Sequence, residues 1–193
     1  MRNSIILFLL LAGCQSVISE KEAINKYFDL PSFTQELLSA QAKTSTQVTK
    51  IMEVNGVSES VLIKHSDSLF WAKELSPLLV STINKPSLAD AYLVEEHLSD
   101  EFSNLLKTTY TAKPETLTTI KKLEIKYLKS MNEIRQVYAI VKNDNLIYST
   151  QLEVHLWVNK RGNLLFVDSL TTTGFNKTIF LDSMKYKTVV IPI

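Results

Sequence analysis

The chain has 193 residues, with 21 lysines and arginines against 20 aspartates and glutamates, so its formal net charge is +1. A chain this evenly balanced lacks the strong positive field with which proteins attract nucleic acid or anionic membrane surfaces. Hydrophobic residues make up 45% of the chain, which is enough to bury a core and excludes a disordered polypeptide. The four glycines form no phosphate-binding loop or dinucleotide fingerprint, so the sequence predicts no cofactor.

The first residues of the chain predict a cleaved secretion signal. Arg2 precedes an unbroken apolar run over residues 5–12. A helix needs about 20 apolar residues to span a bilayer, so this run is too short. Its length and charged flank are instead typical of a signal peptide. The run ends in Leu11-Ala12-Gly13-Cys14, in which small residues precede the only cysteine. The alternative is a cytosolic protein whose first strand spans residues 5–11.

The tetrad resembles the lipobox of bacterial lipoproteins. The resemblance implies that residues 1–13 are removed by cleavage between Gly13 and Cys14. It also implies that the Cys14 sulfur carries a diacylglycerol and that the new amino terminus is acylated, with chains such as palmitate. Several acyl chains hold a protein stably in a membrane, whereas one does so only marginally. In such proteins an aspartate after the cysteine causes retention at the inner membrane, and Gln15 stands here instead. The resemblance therefore implies a cell-envelope protein on the periplasmic face of the outer membrane, with the membrane as its partner.

The mature chain is predicted to begin with a short tether and to continue as one domain. Ser19 and Glu22 have the spacing of a capping box, in which each side chain accepts a hydrogen bond from a backbone amide. A helix beginning there leaves residues 14–18 as a lipidated tether, with a reach under ~15 Å from residue 15 onward. Residues 19–193 then form a single domain. Candidate membrane-proximal residues, which also fit ordinary core contacts, are Ile24, Tyr27 and Phe28.

Asn55-Gly56 is the clearest local signal, because it lies between two runs of β-type residues and predicts a two-residue hairpin turn. The turn predicts four pairs on one face: Val54–Val57, Met52–Glu59, Lys50–Val61 and Val48–Ile63. Six of these eight residues are apolar, so we expect this face to be buried. Lys50 and Glu59 are expected to be diagonal neighbours of opposite charge.

Helices are predicted on both sides of the hairpin. Before it, Pro31 and Ser32 indicate a helix start that is followed by apolar residues at helical spacing. After it, Ser66 or Asp67 caps a helix that Pro77 kinks or ends.

The remainder of the chain is predicted to be β structure. Candidate strands span residues 91–97, 105–112, 119–128, 134–142, 146–158, 164–173 and 178–191. The short loops between them imply an antiparallel meander. We therefore predict an α+β fold, in which two to three helices from the N-terminal half cover the apolar face of a curved antiparallel sheet or half-barrel.

The sequence contains no strong catalytic or metal-binding motif. Its three histidines are His65, His97 and His155. None of them has further ligands at metal spacing, so no metal site is predicted. Glu153 could form a glycosidase carboxylate pair with Glu95 or Glu124, although acidic residues on the polar face of a sheet are normally solvated.

Aromatic side chains are candidates for lining a cavity between sheet and helices, although such residues more often fill a core. The candidates are Trp71, Tyr92, Trp157 and Phe166. The order of leading helix, Asn-Gly hairpin, second helix and β meander resembles the architecture of the lipoprotein-localisation factors LolA and LolB, whose half-barrels hold acyl chains. This likeness matches no motif. The stretches Phe70-Trp71-Ala72-Lys73-Glu74-Leu75 and Ile83-Asn84-Lys85-Pro86 are similar to a group of uncharacterised lipoproteins of Bacteroidota, which implies no activity.

Three triplets of aspartate, serine and a hydrophobic residue resemble the acceptor of O-glycosylation in those bacteria. The candidate acceptors are Ser68, Ser169 and Ser183. Helix caps and strand ends carry the same triplet for purely structural reasons.

The sequence favours a membrane-anchored, non-enzymatic envelope lipoprotein that binds an apolar or amphiphilic ligand between sheet and helices. One alternative is an accessory or structural subunit of an envelope complex, which predicts a filled core and an exposed apolar patch. A second alternative is a hydrolase with an unrecognised site, which predicts a cleft with converging titratable groups. The expected partner is a lipid or an envelope protein, and nucleic acid is not expected.

Overall fold

The computed structural model describes residues 25–44, 46–162 and 164–193. The predicted signal peptide, Cys14 and the helix starting at Ser19 lie outside these residues. Across the described ranges, no helix combines the length and the apolar character that crossing a membrane requires.

Three helices and nine strands make up the described structure. The helices are α1 (Leu30–Gln41), α2 (Ser68–Glu74) and α3 (Ser76–Leu79), with 3-10 turns at Pro86–Leu88 and Met131–Glu133. The strands are β1 (Val48–Val54), β2 (Val57–Ile63), β3 (Tyr92–Ser99), β4 (Leu106–Ala112), β5 (Ile120–Tyr127), β6 (Ile134–Asp144), β7 (Tyr148–Arg161), β8 (Leu164–Thr178) and β9 (Met184–Pro192).

All nine strands form one open sheet in the order β2-β1-β9-β8-β7-β6-β5-β4-β3. Every neighbouring pair is antiparallel. Strands β3 to β9 follow one another in space as they do in sequence, so the predicted antiparallel meander is confirmed. The one long-range junction joins β1 to β9, with Val48 opposite Pro192. Curvature of this sheet into a half-barrel remains a prediction.

The hairpin formed by β1 and β2 has the predicted register, from Val48 opposite Ile63 to Val54 opposite Val57. Its turn needs positive φ at two residues, and Asn55 and Gly56 provide it. The predicted burial of one face is wrong, because only the Val48 end of the hairpin is buried. Apolar side chains beyond that end are exposed, namely Met52, Val54, Val57 and Val61.

The register confirms that Lys50 and Glu59 are diagonal neighbours, but Lys50 forms its ion pair with a different residue. The Lys50 Nζ lies 2.6 Å from a carboxylate oxygen of Glu74 in α2, and both side chains are largely buried. This ion pair links the hairpin to the helical region, whereas the expected neighbour Glu59 is exposed.

The helices begin where short polar side chains cap them. Asp29 caps α1 by accepting a hydrogen bond from the Ser32 amide at 3.1 Å, so the helix begins just before the predicted start. Asp67 caps α2 by accepting one from the Phe70 amide at 2.7 Å, as predicted. Pro77 lies at the start of α3, which follows α2 after a break, so the predicted interruption is confirmed.

One continuous hydrophobic core contains residues from both helices and strands. Trp71, Leu75 and Leu78 from the α2–α3 region are completely buried in it. Two of the candidate membrane-proximal residues also make core contacts: Tyr27 is buried, and the Phe28 ring lies 5.6 Å from that of Phe33.

The strands contribute to this core from one face of the sheet. In β7, Val154, Leu156 and Val158 are buried and the residues between them are only partly buried. Because successive side chains of a strand point to opposite faces, we call the face carrying these three residues the core face and the opposite one the outer face.

On the core face, Tyr186 of β9 lies directly across from Gly174 of β8. A Cβ atom added at Gly174 would overlap the Tyr186 ring. A tyrosine that fills the space over a strand glycine supplies packing that the glycine cannot. Gly174 therefore has a steric reason to be glycine.

We predict that Gly174→Ala lowers the free energy of unfolding by about 1–3 kcal/mol, which is typical of overpacking. Urea denaturation followed by circular dichroism would measure the change. In the background of Tyr186→Ala, the same substitution should cost much less, because the ring it would overlap is absent. Equal costs in both backgrounds would contradict the steric explanation.

Candidate functional site

The structure does not bring the four predicted cavity residues together. Trp71 is completely buried, and Tyr92 is buried with its hydroxyl 2.5 Å from that of Thr118. Trp157 and Phe166 are partly buried on the outer face, because they alternate with core residues of β7 and β8. The four therefore lie on both sides of the sheet, and strand alternation is the reason.

The three candidate glycosylation serines are also far from equivalent. Ser68 is the exposed first residue of α2, and Ser183 is exposed just before β9. Ser169 is partly buried in β8, opposite Trp157. Their modification remains a prediction.

A groove of about 210 Å³ crosses β5, β6 and β7 on the outer face. Its outer-face lining residues are Lys122, Glu124, Lys126, Gln136, Tyr138, His155 and Trp157. The sheet register places them in two adjacent rows. One row runs from Glu124 through Tyr138 to His155, and the next runs from Lys126 through Gln136 to Trp157.

Three rings form one side of the groove. The His155 ring lies 4.3 Å from that of Tyr138 and 5.6 Å from that of Trp157, measured between centroids. The planes of His155 and Trp157 are only 17° apart, because both side chains leave the same face of β7 two residues apart. Part of this aromatic surface stays accessible, since all three residues are only partly buried.

Paired charges form the opposite side, along β5. Lys122 lies 3.1 Å from Glu124, and Lys126 lies 2.7 Å from Asp100, which belongs to the loop after β3. The hydrogen bond from Lys126 holds the pKa of Asp100 below its usual value, so this carboxylate stays ionised. Each lysine of the groove therefore already has a carboxylate partner.

The rings are uncharged at neutral pH. Burial lowers the pKa of His155 below its usual 6.5, against the opposing influence of the Glu153 and Glu124 charges. Burial also raises the pKa of Tyr138, and the same two carboxylates raise it further. The groove therefore combines uncharged aromatic rings on one side with ion-paired side chains on the other.

Two of the candidate glycosidase carboxylates are close to this groove. Glu124 lines it, and Glu153 is near enough to influence the pKa of both Tyr138 and His155. Glu95 is exposed on β3, which β4 and β5 separate from the strand carrying Tyr138. No group of three or more metal-ligating side chains occurs within the described part of the chain.

The sequence pattern did not indicate Tyr138, Lys122 and Lys126 as members of this site. The alternation along β7 already placed His155 and Trp157 on one face. The missing information was the register of β5 and β6 against β7, which determines the neighbours of that pair.

Comparison with known proteins leaves this groove to be interpreted from its geometry. No protein-family model matches the chain, and neither does a curated protein or a solved structure.

The pKa of His155 leads to a prediction about pH. His155 has its usual pKa of 6.5 in the unfolded chain and a lower pKa in the folded protein. At pH values between these two, the unfolded chain binds more protons at this position than the folded chain does. The contribution of neutral His155 to the free energy of unfolding is therefore fully present above pH 6.5, and it decreases as the pH falls through that range. Denaturant unfolding across this pH range should show less of this decline in His155→Gln. Two-dimensional NMR should give a His155 midpoint below 6.5, and a midpoint above that value would contradict the assignment.

Proposed function

We propose that this chain is a lipid-anchored, non-catalytic envelope protein whose outer-face groove binds an uncharged saccharide. The observation that carries the proposal is the combination of partly exposed rings with fully paired charges. A pyranose ring has one apolar C–H face and a rim of hydroxyl groups, so it suits both sides of such a groove.

The charge pairing favours an uncharged ligand. An anionic ligand would have to separate Lys122 from Glu124 or Lys126 from Asp100, and each separation costs the existing interaction. Hydroxyl groups can instead donate to the carboxylate oxygens and accept from the ammonium groups that are already in place. A neutral polyol therefore gains hydrogen bonds without breaking ion pairs.

The aromatic side favours a ligand with a flat apolar surface. Trp157 and Tyr138 flank His155, and these rings are large, rigid and partly exposed. Rigid aromatic side chains provide contact area at a low cost in conformational entropy.

The packing of the core favours this groove over a site between sheet and helices. The α2–α3 side chains Trp71, Leu75 and Leu78 occupy that space and are completely buried. We also propose that α1 to α3 cover the core face of a curved sheet, since α1 packs against β8 and the helices share one core with the strands. A filled core also favours the second candidate, an accessory subunit of an envelope complex.

Binding is testable with maltose, cellobiose and N,N′-diacetylchitobiose as probes, by saturation-transfer NMR and calorimetry. We expect at least one probe to bind, and Trp157→Ala to raise its Kd about five- to tenfold. This corresponds to roughly 1 kcal/mol for one aromatic contact. The matched control is Phe166→Ala, which removes another partly buried ring of the outer face outside the groove.

Three outcomes would count against this assignment. Absence of binding by all three probes, or an equal loss in Phe166→Ala, would remove the support for a saccharide groove. Hydrolysis of a bound probe that Glu124→Gln or Glu153→Gln abolishes would instead establish the glycosidase alternative.

The anchoring half of the proposal is carried by the Leu11-Ala12-Gly13-Cys14 tetrad. In bacteria supplied with radiolabelled palmitate, we expect the full chain to incorporate label and to fractionate with the envelope. Cys14→Ser should abolish the labelling, because only the thiol forms the thioether. Labelling that persists in Cys14→Ser would contradict the lipobox assignment.

A further inference from the structure

Two loops at one end of the sheet expose an unusual amount of apolar surface. The β6–β7 loop carries Leu146 and Ile147, with 95% and 63% of their surface exposed. The β8–β9 loop carries Ile179, Phe180 and Leu181, with 59%, 89% and 70% exposed. We call these five residues the apolar tip.

The two loops form one continuous surface. The Ile179 amide donates a hydrogen bond to the Ile147 carbonyl at 2.9 Å, and Tyr148 pairs with Thr178 immediately below. The neighbouring β4–β5 loop adds Leu117, which is fully exposed and lies beside the end of β6. These side chains are exposed at loops on one end of the sheet, where a broad partner can contact several of them at once.

Such a surface needs a partner. Hairpin loops are normally built from small and polar residues, because they face water. A contiguous exposed apolar patch on a folded protein marks a site for another protein, a membrane or aggregation.

The path of the chain favours the membrane. The Tyr27 hydroxyl donates to the Ala89 carbonyl at 2.6 Å, and the Tyr27 ring packs 5.5 Å from that of Tyr92. Tyr92 begins β3, and the antiparallel order places that position at the same end of the sheet as the starts of β5, β7 and β9. The chain therefore enters the described structure at the end that carries the apolar tip.

The length of the preceding segment reinforces this. Cys14 is separated from Asn25 by few enough residues that an extended chain reaches at most ~40 Å between them. An anchor at Cys14 would therefore hold this end of the sheet near the bilayer.

Local charge does not oppose membrane contact. Lys177 and Lys185 flank the β8–β9 loop, which contains one acid, Asp182. Beside the other loop, at the end of β6, Asp144 is paired with Lys142 at 2.9 Å. The net charge of the whole chain is near zero, but this end of the sheet carries lysines next to exposed apolar residues. The same combination is typical of protein segments that lie in a membrane interface.

We propose that the apolar tip inserts into the interface of the bilayer that anchors the chain, so that two contacts fix the orientation of the sheet. The inference rests on the anchoring part of the proposed function and is independent of the saccharide groove. Loop side chains inserted in this way make lipid contact without any membrane-spanning element.

The test compares two exposed phenylalanines at opposite ends of the sheet. Phe180 lies in the apolar tip, and Phe102, which is 92% exposed, lies in the β3–β4 loop at the other end. The full chain, purified from bacterial membranes, would carry Phe180→Cys or Phe102→Cys and an environment-sensitive dye. It would be reconstituted in vesicles of phosphatidylethanolamine and phosphatidylglycerol.

We expect the dye at position 180 to shift to the blue, to be quenched by lipid-attached nitroxide and to be several-fold less accessible to iodide than the dye at position 102. Equal iodide quenching at both positions would overturn the proposal. Protection from iodide at position 180 without nitroxide quenching would also overturn it, because a protein partner or a second copy would then cover the tip.

The parent chain separates this result from a failure of anchoring. If Cys14 is acylated, the parent takes no dye. If it takes dye, the anchoring proposal fails, and the depth measurement is repeated with Cys14→Ser in each variant. Lipid quenching at position 180 in that background would support the apolar tip on its own, and its absence would reject it.

Discussion

The alternation of side chains along the central strands determines the character of both faces of the sheet. Burial of Val154, Leu156 and Val158 on the core face obliges Glu153, His155 and Trp157 to lie on the other face. The aromatic side of the groove is therefore a geometric consequence of the core. A shift of one residue in the register of β7 would exchange the two sets and destroy core and groove together.

Ion pairs occur on both faces of the sheet. On the core side, Lys50 and Glu74 form an ion pair between β1 and α2, where an unpaired charge would be costly. On the outer face, the lysines of β5 are paired with Glu124 and Asp100. The nearly equal numbers of acids and bases in the sequence thus correspond to specific partners at these places in the fold.

Local signals were enough to predict most of the secondary structure. Asn55-Gly56 predicted the hairpin and its register, because a two-residue turn leaves one way to pair the strands. Asp67 and Pro77 similarly marked the start and interruption of a helical region. Short loops predicted the meander, since they join strands that lie side by side.

Non-local features could not be predicted in this way. The exposure of Val57 and Val61 depends on whether another part of the chain covers that end of the hairpin, and the sequence pattern of the hairpin contains no such information. The groove likewise depends on the register of three strands, so the sequence could not predict that Tyr138 lies beside His155. Trp157 and Phe166 were expected on the inside because they are aromatic, but strand alternation places them on the outer face.

The position of β9 between β1 and β8 has a consequence for how the chain becomes structured during synthesis. The hairpin of β1 and β2 is complete early, yet its neighbour in the sheet is the last strand, and the Asn55 side chain accepts a hydrogen bond from the Lys185 amide across 130 residues. Until β9 emerges, the hairpin has an unpaired edge at β1 and the β3–β8 meander has one at β8, in addition to the outer edges β2 and β3. Such long-range contacts slow folding and prolong the exposure of strand edges. Strand β9 therefore joins the two parts of the sheet and covers two aggregation-prone edges at once.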